Sequence, residues 1–154
     1  MNLSSLLSED RVDWHPDASS KKRALEVLSG LLSSAAPGLE PNDVFESLLA
    51  RERLGATGLG RGVAIPHGRL AGVAQPSIAM IKLNTGVEFD APDKQPVDLL
   101  FALIVPDESS EEHLEILSLL AEMLHEEQFL SQLRGLESRD ALYSFIAGWH
   151  PDHP

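Results

Sequence analysis

The segment GVAIPHGR, residues 62–69, sets one ionisable ring between the residue that most restricts a backbone and the one that restricts it least. Pro66 fixes its own φ near about −65° and removes an N–H, so the chain reaching His67 has few choices. Gly68 brings no side chain, so the far side of the ring is expected to stay uncrowded. The run GVAI is short, apolar and β-branched, which predicts a strand with His67 at its end. Ligands in open α/β sheets bind beyond the carboxyl ends of strands. A neutral imidazole there can act as a nucleophile, a base or a metal ligand. The plain alternative is that Pro-His-Gly is only a turn.

A second histidine lies in SSEEHLEILSLLAEMLHEE. Ser109 and Glu112 form a capping box that predicts a helix start. At about 100° per residue, Glu111, Glu115, Ser118, Glu122 and Glu126 share one polar stripe. His113 falls nearly opposite, in line with Leu120 and Leu124. A histidine turned inward in the first helical turn is either a satisfied core residue or a group facing a site at the core's edge. The helix dipole there favours the neutral ring and attracts an anion. His15 and His125 are expected at the surface, and His150 and His153 in a C-terminal tail. GLGRG, residues 58–62, resembles part of a phosphate-binding glycine loop, but its glycines precede a strand where the dinucleotide fingerprint needs them to follow one, so a turn explains them better.

The elements that must hold these residues follow from periodicity. Residues 18–34 read as a helix through Leu25, Leu28, Leu31 and Leu32, ended by Pro37-Gly38. A second helix starts near Pro41 and stops at Gly55. GATGLGRG (55–62) has four glycines in eight residues and is expected to be a loop. SIAMIKL (77–83) and VDLLFALIV (97–105) are the clear strands, and the second is apolar nearly throughout, as a central strand buried on both faces would be. Between them NTGVEFDAPDKQP predicts turns around a minor strand. Residues 110–147 are helical, with breaks near Glu126 and at Gly135. This order implies a single mixed α/β domain over residues 1–148, with 149–154 as a flexible tail.

Composition narrows the function. The 154-residue chain is long enough to bury about two-thirds of its unfolded surface. It carries a formal charge of −12, from 24 acids and 12 bases. Such a chain repels nucleic-acid phosphates and anionic lipid, and the basic triplet Lys21-Lys22-Arg23 reads as a solvated helix turn. No apolar run approaches the roughly 20 residues of a membrane span, and the N-terminus lacks a signal-peptide pattern, so a cytoplasmic protein without membrane insertion is expected. The absence of cysteine excludes disulfides and thiolate chemistry.

Three segments together, LLARERLGATGLGRGVAIPHGR, DKQPVDLLFALIVP and HLEILSLLAEML, resemble the IIA domain of the phosphoenolpyruvate-dependent phosphotransferase system. The likeness is to the mannitol/fructose class and its nitrogen-regulatory branch, over about residues 3–147. It implies an α/β fold, a mixed sheet of about five strands flanked by helices. It implies that His67 carries a phosphoryl group, with His113 beside it and Arg51, which opens an Arg-Glu pair, in the same site. It further implies a histidine phosphocarrier protein as donor, regulatory protein targets, and neither cofactor nor metal. A sugar-transport IIA passing phosphate to a separate IIB, and a binding module that no longer transfers phosphate, remain alternatives. A metal hydrolase using His67, His113 and a carboxylate has no compact motif such as H-x-x-x-H to support it.

Overall fold

A computed structural model of the chain describes residues 2–108 and 111–151. Six strands form one mixed sheet: β1 (Val12–Trp14), β2 (Gly58–Gly60), β3 (Val63–Ala64), β4 (His67–Leu70), β5 (Ser77–Val87) and β6 (Val97–Pro106). The helices are α1 (Lys21–Leu32), α2 (Pro41–Leu54), α3 (Glu111–His125), α4 (Glu127–Arg134) and α5 (Arg139–Ala147). Across the sheet the order is β1-β5-β6-β3-β2, with β4 also on β6.

β6 is the central strand, as its unbroken apolar run requires. Leu99, Phe101, Leu103 and Val105 pack on one side with Ile116, Leu120, Leu130, Leu142 and Ile146 from α3, α4 and α5. Leu100, Ala102 and Ile104 pack on the other with Leu25, Leu28, Val44 and Leu48 from α1 and α2. The period-2 alternation of one strand thus builds both halves of a three-layer domain. No helix among the described residues is long and apolar enough to cross a membrane.

Several expectations are corrected. The sheet gains β1, a three-residue strand ahead of the first helix, because Val12 pairs in parallel with Met80 and is fully buried. The glycine-rich stretch is partly strand: β2 runs antiparallel to β3, and positive φ at Arg61 and Gly62 makes the turn between them. The minor strand after residue 83 is a continuation of β5, whose register slips between Lys82 and Val87. The first helix begins at Lys21 with Ser20 capping the Arg23 N–H, and its last turn tightens at Ser33–Ala35. Lys21 is not a solvated cation: it pairs with Glu52 at 3.0 Å and lies over the Phe89 ring. His15 is half-buried, stacked on Trp14, with Lys82 Nζ 3.2 Å from its Nε2. Trp149, expected to lie in the tail, is buried in the core, and its N–H donates to the Ile146 carbonyl. The capping role given to Ser109 and the tail position of His153 lie outside the described residues. His125 and His150 are exposed.

Candidate functional site

His67 does not end a strand. It opens one. β3 and β4 pair in parallel with the same strand, Val63–Ala64 against Leu99–Leu100 and His67–Leu70 against Leu103–Pro106. Ile65 and Pro66 interrupt what is otherwise a single strand path. Pro66 has no N–H to give the ladder, but its carbonyl still accepts from Leu103 N–H at 2.9 Å. The interruption turns the Ile65 carbonyl toward the next side chain: it lies 2.8 Å from His67 Nδ1. A carbonyl can only accept, so Nδ1 carries the proton and Nε2 keeps a free lone pair.

The glycine after the histidine serves packing and not openness. A Cβ on Gly68 would press on Ser47 Oγ and approach the Ser47 carbonyl carbon to 3.1 Å. α2 therefore lies directly on β4, and the Ser47 hydroxyl donates to the Arg69 carbonyl at 2.8 Å. The uncrowded side of His67 is made elsewhere. A groove of about 750 Å³ runs beside the ring, lined by Ser47, Arg51 and Leu54 of α2, Gly68 and Arg69 of β4, and His113 of α3.

His113 sits in the first turn of α3, on the same buried face as Ile116, Leu120 and Leu124. Its ring meets that of His67 edge-on, with centroids 5.2 Å apart. Arg69 Nε donates to His113 Nδ1 at 3.3 Å, which leaves the His113 proton on Nε2. That Nε2 is buried and has no hydrogen-bond partner among the described residues. A buried donor without an acceptor costs about 1–3 kcal/mol, so it points to an acceptor supplied from outside the chain.

Both rings are held neutral. Burial pushes the pKa of His67 below its ordinary 6.5, and the Arg51 charge adds to the shift, against the raising effect of the Ile65 carbonyl and Glu52. Burial likewise pushes His113 down, helped by His67, Arg69 and Arg51. Arg51 is anchored by donation from Nη1 to the Gly55 carbonyl at 2.8 Å, across the end of α2. The groove thus gathers one free imidazole lone pair, one orphaned N–H donor and two guanidinium groups. That set suits a compact oxyanion attached to Nε2 of His67. Among the described residues no three His, Asp or Glu side chains converge as a metal cage.

The residues picked from sequence, Arg51, His67 and His113, are brought to one groove. Arg69 was missed. It lies two residues after His67 in a strand, hence on the same face, and the signal was available once HGRL is read as β-structure. Glu52 and Thr57, which connect to the Ile65 N–H through the Thr57 carbonyl at 3.1 Å, were also missed.

A family model, the EIIA 2 domain of the phosphoenolpyruvate-dependent sugar phosphotransferase system, matches residues 5–148. The nitrogen regulatory protein of Pseudomonas aeruginosa is 42% identical over 146 residues, covering 95% of each chain. The crystal structure of nitrogen regulatory protein IIA-Ntr from Neisseria meningitidis superposes with a TM-score of 0.87 at 42% identity, over 93% of this chain and 97% of that one. The crystal structure of IIA mannitol from Escherichia coli shares the fold at 22% identity, with a TM-score of 0.74 over 91% of this chain and 98% of that one. On these matches, which take in α2, the interrupted strand and α3 together, the chain belongs to the EIIA 2 family of the phosphotransferase system and is similar to its nitrogen regulatory members.

Proposed function

We propose that Nε2 of His67 accepts a phosphoryl group from a histidine phosphocarrier protein, and that the two forms of the chain bind regulatory protein targets differently. The observation that carries this reading is the pair of tautomers. His67 offers a lone pair at Nε2, while His113 offers an N–H at Nε2 with no acceptor of its own.

In the reaction the Nε2 lone pair attacks phosphorus, and a new P–N bond forms as the P–N bond of the donor's phosphohistidine breaks. The bonding pair leaves with the donor's ring. His67 keeps its Nδ1 proton and gains positive charge, which rests on the Ile65 carbonyl. The transition state is loose and asks for position and charge compensation more than for covalent help. His113 Nε2–H and the guanidinium groups of Arg51 and Arg69 serve the phosphoryl oxygens. The free ring reacts only when neutral, and the lowered pKa keeps it so near pH 7.

Leu54 and Leu114 stand exposed at 85% and 67%, one lining the groove and one next to His113. They give an apolar contact for a donor or target that must come close to His67. Phosphorylation adds about −1.5 to −2 charges and three acceptor oxygens at that point. A target docking there is expected to prefer the unphosphorylated form by about 5- to 150-fold, the usual scale of such coupling. The nitrogen regulatory name of the relatives at 42% identity favours this output over passage of phosphate to a IIB.

The test is incubation with phosphoenolpyruvate, enzyme I and the phosphocarrier. The wild type is expected to gain an acid-labile phosphoryl group, and His67→Ala to stay folded and gain none. A His67→Ala chain that is still phosphorylated would overturn the assignment.

A further inference from the structure

The Arg-Glu pair of α2 divides its work. Arg51 faces the groove, whereas Glu52, the next residue and about 100° around the helix, is buried beneath it at 6% exposure. A buried carboxylate needs partners, and these are specific. Glu52 Oε2 accepts from the Thr57 backbone N–H at 2.9 Å, and Oε1 accepts from the Thr57 hydroxyl at 2.6 Å. Lys21 Nζ lies 3.0 Å from Oε2, itself held by the Phe89 ring and by Asp90 at 3.5 Å.

The contacts continue toward the histidine. Thr57 is buried, and its carbonyl accepts from Ile65 N–H at 3.1 Å. Ile65 is one of the two residues at which pairing with β6 is interrupted, so its N–H is given to Thr57. The Ile65 carbonyl then takes the Nδ1 proton of His67. Pro66, with φ fixed, leaves little slack between that peptide and the ring. The path of contacts from Glu52 through Thr57 and Ile65 to His67 Nδ1 is unbroken.

We propose that Glu52 is a positioning residue for His67: by pinning Thr57 it sets the Ile65 peptide, and so holds the imidazole as the Nδ1–H tautomer with Nε2 toward the groove. The consequence for transfer rests on the reading of His67 as the phosphoryl acceptor. The tautomer itself does not.

Glu52→Met keeps the volume and removes both acceptors. Glu52→Gln keeps an oxygen for the Thr57 N–H and an amide that can donate to the Thr57 hydroxyl, so it should restore the path. The readout is the pair of ring nitrogen-15 signals of His67 in the unphosphorylated chain, with the rate of phosphoryl acceptance from the phosphocarrier beside it. In the wild type and Glu52→Gln the signals should report a single Nδ1–H tautomer. In Glu52→Met they should report a mixture, with acceptance slower by the factor by which the Nδ1–H fraction falls. If Glu52→Met does not fold by circular dichroism, Glu52→Asp carries the same test, since it withdraws the carboxylate by one methylene and cannot span both Thr57 groups. Folded Glu52→Met or Glu52→Asp with wild-type ring signals would overturn the proposal. A wild type with the single tautomer but no phosphoryl acceptance would instead count against the proposed function and leave the positioning intact.

Discussion

Replacing His113 by alanine separates what the ring does for the fold from the role proposed for it toward a phosphoryl group on His67. In the free chain the substitution has two opposed effects. It removes an orphaned buried N–H, whose burial costs about 1–3 kcal/mol. It also empties the space of a ring 7% exposed, which costs about 2 kcal/mol when water from the adjoining groove can enter. Arg69 loses its acceptor but is exposed, so water replaces it at little cost. The melting free energy should therefore change by no more than about 1 kcal/mol. On the proposed reading, only the loss remains in a chain phosphorylated on His67, a charge-assisted hydrogen bond of about 1.5–3 kcal/mol. That corresponds to about a 10- to 150-fold shift of the transfer equilibrium back toward the donor. The assay equilibrates each chain with a phosphocarrier poised at fixed phosphorylation, then counts phosphohistidine after an alkaline quench, with denaturant melts in parallel. His67 should still be the residue modified. A folded His113→Ala with the wild-type equilibrium would refute the reasoning, and His113 would be a core residue only.

Two further outcomes follow from the same geometry. Gly68→Ala sets a Cβ against Ser47 where α2 meets β4, so it should destabilise by about 1–3 kcal/mol and slow acceptance at His67, read by denaturant melts and transfer rates; unchanged values in both would mean that α2 yields without strain. Stability should also fall in acid. Burial holds the folded pKa values of His67 and His113 below 6.5, so between 6.5 and those values the unfolded chain binds more protons. Their contribution is full above pH 6.5 and is lost as the pH falls through 6.5 toward the folded values. His15 moves in the same direction, so the comparison is with the double variant His67→Ala/His113→Ala, whose pH slope should be the shallower one. Equal slopes would contradict the burial assignment.

What the sequence determined by itself was the alternation of β6, the helical faces and the histidine between proline and glycine. Leu99 to Val105 must be buried on both sides because apolar residues occupy both phases of its period. His113 must turn inward because it shares a helical stripe with Leu120 and Leu124. Arg51 came from resemblance alone, as no periodicity singles out one arginine in a run of charges. Other features needed the tertiary structure, because short segments carry too little periodicity to read. β1 has three residues and β3 has two, and each is a strand only because a longer neighbour supplies its partners. The role of Gly68 depended on which helix lies over it, so an inference from backbone freedom gave openness where Ser47 gives contact. The pairings of Lys21 with Glu52 and of Arg69 with His113 join residues 31 and 44 positions apart. Above all, the tautomer of His67 is set by a carbonyl freed where Ile65 and Pro66 leave the β6 ladder. The motif places an imidazole, but only the pairing of the strands decides which of its nitrogens is free.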